Sequence, residues 1–242
     1  MSGGVALLEG VDWAPTAGFD PGAWPFTVPA VEHLIRTGGL DLEAGVTVIV
    51  GENGSGKSTL VEALAAIYPR RGADHRLGSQ GSAEDSPLRW HLRPRVHRMA
   101  PPDGFFLRAE MMHAYFARHD ADEEGRAWDG QLLNARSHGE SFLEVLRQRF
   151  RGIGMYFLDE PESALSFRSS LALLALLDDL RREGSQVVLA THSPILAALP
   201  HATVLEIGEW GIRPTTYEDL ELVQDWRAFL EEPDIYLRHL FE

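Results

Sequence analysis

The chain has 242 residues, no cysteine and a formal net charge of −14. That length holds one core with an elaboration rather than two full domains, and the absence of cysteine excludes a disulfide framework and thiolate metal sites. The acidic balance argues against a surface that coats nucleic acid, and the apolar run Leu171–Leu177 is too short to span a bilayer.

In chain order, residues 1–9 lack the basic start and apolar stretch of a signal peptide, so a soluble cytoplasmic chain without membrane insertion is expected. Pro15, Gly18, Pro21, Gly22, Pro25 and Pro29 punctuate residues 1–45 densely enough to predict short strands and turns rather than a helix. Trp24 and Phe26 stand upstream of a glycine-rich loop. An aromatic there can stack on a base, which makes Trp24 a nucleotide-binding candidate, although such a residue more often fills the core.

Val46-Thr47-Val48-Ile49-Val50 predicts a buried strand, and a helix is expected over residues 58–67. Between them, Gly51-Glu52-Asn53-Gly54-Ser55-Gly56-Lys57-Ser58 fits G-x-x-x-x-G-K-[ST] at every fixed position. Glycines let successive N–H groups turn inward around a phosphate, and the helix N-terminus adds further donors. Lys57 is placed for the β- and γ-phosphates and Ser58 for magnesium, with Thr59 next in line. Strand, loop and helix together predict a nucleoside triphosphate site.

Residues 69–103 read as irregular and basic. Arg70, Arg71, Arg76, Arg89, Arg93, Arg95 and Arg98 either meet phosphate or an acidic partner, or pair with the chain's own carboxylates. His75, His91 and His97 lack ligand-like spacing. Phe105-Phe106-Leu107 predicts a short buried strand, Met111–Arg118 a helix, and Asp120–Glu124 a solvated acidic loop. Ser137-His138-Gly139-Glu140-Ser141 then opens a helix running through Arg151.

Met155-Tyr156-Phe157-Leu158 is apolar on both faces, as in a parallel sheet, and Asp159-Glu160 ends it where open α/β sheets bind ligands. Asp159 is placed to hold magnesium and Glu160 to act as general base. A helix follows over Ser166–Arg182, stopped by Gly184. Val187–Ala190 is a third buried strand with His192 at its end, favoured as a γ-phosphate contact. Val204–Ile207, a Gly208–Gly211 turn and Ile212 predict a hairpin. Thr216 with Asp219 reads as a capping box opening a C-terminal helix.

These segments together resemble an ABC-type ATPase of the soluble branch. Gly51–Ser58 is similar to its Walker A loop, Met155–Glu160 to Walker B with the catalytic glutamate, and Ser137-His138-Gly139-Glu140 to its signature motif. Ser163–Ser166 falls at the D-loop, His192 at the switch histidine, and Arg108-Ala109-Glu110 at the Q-loop. More narrowly, Asp159–Ser166 and Ser137–Ser141 resemble small bacterial stand-alone AAA-family ATPases. Compared with the family pattern, His138 replaces a signature glycine, Glu140 the glutamine, and Ser166 the D-loop aspartate.

The resemblance implies an α/β P-loop NTPase fold in one domain spanning residues 1–242. A mainly parallel central sheet, N-terminal β elements and an inserted helical arm over about residues 69–150 are expected. It also implies ATP and magnesium as ligands, with Ser58, Asp159 and Glu110 on the metal. Two copies would pair head to tail, Ser137, His138, Gly139 and Glu140 of each facing the other's phosphate loop. Hydrolysis would gate a protein partner not named by the sequence, with nucleic acid possible but not favoured. The alternatives are a slowly hydrolysing nucleotide sensor and the energising subunit of a transporter.

Overall fold

The computed structural model describes residues 4–69, 86–108, 138–150 and 152–241. The expected helix at 111–118, the acidic loop at 120–124, the basic residues 70–76 and the carboxylate of Glu110 lie outside them.

Two sheets organise the described chain. The central one has six strands: β3 (Val46–Gly51), β5 (Gly104–Arg108), β6 (Met155–Asp159), β7 (Gln186–Thr191), β8 (Thr203–Gly208) and β9 (Gly211–Thr215). Their order is β5-β6-β7-β3-β8-β9, and every pairing is parallel except the β8–β9 hairpin at one edge. Strands β6 and β7 are buried along their whole length, as is β3 up to Gly51. Such strands read as unbroken apolar runs because helices cover both faces of a parallel sheet.

The faces divide cleanly by alternation. On one, Val48, Val50, Tyr156, Leu158, Val187 and Leu189 pack with helices α3 (His138–Arg149), α4 (Phe167–Arg182) and α5 (Pro194–Ala197). On the other, Ile49, Met155, Phe157, Val188 and Ala190 meet α1 (Pro29–Thr37) and α2 (Lys57–Ile67). Helices α6 (Glu221–Glu231) and α7 (Pro233–Phe241) follow the hairpin.

The second sheet is antiparallel, in the order β2-β1-β4, from β2 (Gly39–Asp41), β1 (Leu8–Trp13) and β4 (Leu92–Val96). Gln186, 1% exposed, ties the two sheets together. Its Oε1 accepts from Leu7 N at 2.7 Å and Leu8 N at 2.8 Å, and its Nε2 donates to Leu8 O at 3.0 Å and Glu43 O at 2.8 Å.

Three sequence expectations need correction. Residues 29–37 form a helix, not turns: Pro29 sits at its first position, where the missing N–H costs nothing, and Gly38 ends it at φ 85°. Within the stretch read as irregular, residues 92–96 pair with β1, and Pro94 is tolerated because β4 is an edge strand. There Arg95 pairs with Asp12 and Asp41, so this arginine answers the chain's own carboxylates. Thr216 Oγ1 does donate to Asp219 Oδ2 at 2.7 Å, but the helix starts at Glu221. Its capping acceptor is Glu206 Oε1 from β8, 2.8 Å from Glu221 N.

Replacing Gln186 by leucine orphans the buried groups it satisfies, each costing about 1–3 kcal/mol. We expect a loss of about 3 kcal/mol in urea unfolding, with the m-value unchanged.

Candidate functional site

The phosphate loop joins β3 to α2. Gly54 at φ 81° and Gly56 at φ 95° occupy backbone that favours glycine. At Gly56 space demands it too, since a Cβ would lie 2.6 Å from Val28 Cγ2. Ala30 N donates to Ser55 O at 3.0 Å, so the start of α1 braces the loop from outside.

Lys57 is buried inside the curl, where Nζ donates to Gly51 O at 2.8 Å and Glu52 O at 3.1 Å. Burial pushes its pKa down, while Glu160, Asp159, Glu52 and Glu162 pull it back. An ammonium held by neutral carbonyls in a desolvated loop is a ready receptor for an anion.

Ser58 Oγ donates to Asp159 Oδ1 at 2.9 Å. The hydroxyl and the carboxylate bring two hard oxygens together at the mouth of the loop. Magnesium takes one or two such protein ligands and completes its shell with waters and phosphate oxygens, so this pair fits the ion. Among the described residues no group of three or more His, Cys, Asp or Glu could hold a metal.

Asp159 Oδ2 has a partner that sequence reasoning missed. Arg108 Nε donates to it at 2.9 Å, and the same guanidinium pairs with Glu62 on α2. Arg108 stands directly across the parallel β5–β6 register from Asp159. The clue was its place immediately after an apolar run, which puts it at a strand end beside the carboxylates.

Glu160 follows at φ 49°, ψ 49°, a left-handed conformation rare outside glycine. Its Oε1 lies 3.3 Å from His192 Nε2, a nitrogen shut off from solvent and without a hydrogen-bond partner among the described residues. His192 also lines a cavity of about 480 Å³ beside the loop, with Glu52, Asn53, Ser55, Glu206 and Trp210. An unpartnered buried nitrogen facing a carboxylate is a place for a ligand to complete the network.

Glu162 is the second residue that the sequence did not single out. Its Oε1 accepts from Thr191 Oγ1 and from His192 N, both at 2.6 Å, clamping the histidine turn to the segment after β6. Burial raises its pKa above the ordinary carboxylate value, against the lowering effect of the Thr191 and His192 hydrogen bonds.

The structure therefore gathers Lys57, Ser58, Asp159, Glu160 and His192 at the C-terminal ends of β3, β6 and β7. Gly139 lies in the first turn of α3 with His138 and Glu140, whose backbones alone are described, and Ser137 lies outside the described residues. Trp24 is 67% exposed in the turns before α1, so it is no core residue, and it does not line the cavity. The aromatic that fills the core there is Phe26, edge-on to Trp13 and Phe19.

Two family models match the chain. One, described as an AAA domain, covers residues 35–82. The other, an AAA-domain model whose description cites the AbiEii toxin and a Type IV TA system, covers residues 141–198. The pyoverdine export ATP-binding/permease protein PvdT of Pseudomonas putida is 29% identical over 197 residues, covering 73% of this chain and 30% of that protein. The macrolide export ATP-binding/permease protein MacB 1 of Yersinia pestis is 28% identical over 192 residues, covering 69% of this chain and 29% of its own length. The chain thus spans about 30% of the length of these relatives. One solved structure, assigned as a metal-chelate type ABC transporter in an inward-facing conformation, matches at a TM-score of 0.47 and 18% identity, over 80% of each chain. The likeness to ABC-type and AAA-family ATPases read from the motifs is found again in the sequence comparisons, and the fold itself follows from the strand order.

Glu162 gives this site a pH signature. A carboxyl whose pKa is raised on folding favours the folded state when protonated, so its contribution is full below about pH 4.5 and is lost as pH rises through the folded value. Glu162→Gln keeps the acceptor and removes the charge. Its melting temperature should exceed that of the unaltered protein near neutral pH, and the gain should vanish below about pH 4.5. A pH-independent difference would assign the burial cost elsewhere.

Proposed function

We propose that this protein binds ATP with magnesium and hydrolyses it, and that two copies pair head to tail around the nucleotide to gate a partner protein. The observation that carries the reading is the convergence of Lys57, Ser58, Asp159, Glu160 and His192 at one edge of the parallel sheet. A lysine in a phosphate loop, a hydroxyl–carboxylate pair for magnesium and a carboxylate that could orient water are the parts that phosphoryl transfer to water uses, and their meeting at one edge supports the reading.

Gly51, Glu52, Asn53, Gly54, Ser55, Gly56 and Thr59 would wrap the phosphates with backbone N–H groups. Lys57 would exchange its two carbonyl partners for β- and γ-phosphate oxygens. Ser58 and Asp159 would hold magnesium, which when bound neutralises phosphate charge. Glu160 would take a proton from water in line with the γ-phosphate, and His192 Nε2 would contact that phosphate. The 3.3 Å approach of Glu160 and His192 supports a paired role.

The composite pairing would bring Ser137, His138, Gly139 and Glu140 of one copy over the other's nucleotide. Trp24, being exposed, is available to stack on a base, and Glu110 would join the metal shell. A cytoplasmic setting suits the reading: no described helix is long and apolar enough to cross a membrane. A second reading, the energising subunit of an exporter, is favoured by the export proteins that the sequence matches. Nucleic acid is not favoured: the net charge of −14 weighs against it, and Arg95, one of the seven arginines considered, is engaged by Asp12 and Asp41.

Glu160→Gln tests the reading. Turnover should fall about 10²–10⁴-fold while ATP binding persists, and light scattering behind size exclusion should show a dimer only with magnesium-ATP. An undiminished rate would overturn the general-base assignment. A monomer with ATP bound would favour a slowly hydrolysing sensor.

A further inference from the structure

We propose that Arg108 is a resident counter-cation for Asp159 that magnesium must displace, so that strand β5 sets the metal affinity of the nucleotide site. The inference rests on the nucleotide reading above and gives Arg108, until now only the first residue of the Q-loop position, a role of its own.

Asp159 is 2% exposed, and both its oxygens are taken: Oδ1 by Ser58 Oγ and Oδ2 by Arg108 Nε, each at 2.9 Å. The guanidinium is held in place rather than loosely draped. Its Cα faces that of Asp159 across the β5–β6 register, and it reaches Glu62, which stands one helical turn after Ser58 on α2. It thus spans the strand that carries one metal ligand and the helix that carries the other.

An arginine keeps its charge at any working pH, so it answers the buried carboxylate whether or not nucleotide is present. A magnesium ion on Asp159 would meet that fixed positive charge at close range in a poorly solvated site. Coulomb repulsion between the two cations must then be relieved. Glu62 offers the route: the guanidinium can keep this partner while giving up Asp159. The consequence is selectivity, since bare magnesium finds its carboxylate occupied. Magnesium carried by phosphates brings enough negative charge to make the exchange favourable.

The test is manganese binding, followed by electron paramagnetic resonance, on protein saturated with a non-hydrolysable ATP analogue. Removing the charge in Arg108→Gln should tighten manganese binding roughly tenfold. Arg108→Lys, which keeps the charge, should stay within about threefold of the unaltered protein. Equal or weaker manganese affinity in Arg108→Gln, with the analogue still bound, would overturn the displacement and leave Arg108 as a support for Asp159. So would a tightening equal in both variants, because charge would then not be the cause. Failure of the unaltered protein to bind the analogue at all would overturn the nucleotide reading, and this inference with it.

Discussion

A carboxylate as deeply buried as Asp159, 2% exposed, must have its charge answered from within the fold, because leaving it unpaired costs several kcal/mol. The answers come from separate elements: Ser58 at the start of α2, and Arg108 at the end of β5 with Glu62 at its back. Those elements meet only because β5, β6, β7 and β3 are neighbours in that order. A shift of one residue in the β5–β6 register would send Arg108 to the other face of the sheet. The apolar packing that fixes register therefore also fixes the electrostatics of the site.

This dependence explains which features were legible in the sequence. The central strands β3, β6 and β7 are covered on both faces, so each carries a short apolar run, broken in β3 by Thr47, followed by polar residues. Composition alone marks both the strand and the edge where chemistry belongs. The phosphate loop was legible for a different reason. Gly56 has no substitute, its φ being 95° and its Cβ space taken by Val28. Where a position has a single physical solution, the sequence states it.

Elsewhere several solutions compete, and there the reading failed. Proline density around residues 15–29 counts equally as turn signals or as a helix start, and only the packing of Ala30, Val31 and Leu34 on the core decides for the helix. Strand β4 is short, edge-placed and rich in arginine, so it has no apolar alternation to read. The Thr216–Asp219 pair looks like a cap, yet α6 is capped by Glu206, fifteen residues earlier on β8. The contact of Arg108 with Asp159, and Glu162 altogether, were missed because the partners are distant in the chain. Glu62, Asp159, Thr191 and His192 become neighbours only through the sheet order.

Glu160 shows how that order turns strain into placement. A left-handed conformation costs a non-glycine residue roughly 1–2 kcal/mol, and the following proline further narrows its choices. The conformation is held on both sides: Glu160 N donates to Ala190 O at 2.9 Å, and Glu160 O accepts from Ser163 N at 3.2 Å. Two residues on, Glu162 grips Thr191 and the His192 amide, closing a ring between the end of β6 and the end of β7. The side chains of Glu160 and His192 are consequently aimed at each other by backbone constraints. The free energy lost at Glu160 is offset by the ring around it, which leaves the Glu160 carboxylate 3.3 Å from an imidazole nitrogen that has no hydrogen-bond partner among the described residues. If the pair acts in hydrolysis as proposed, it would not need to reorganise as charge develops, and fixed polar groups of that kind stabilise a transition state most effectively.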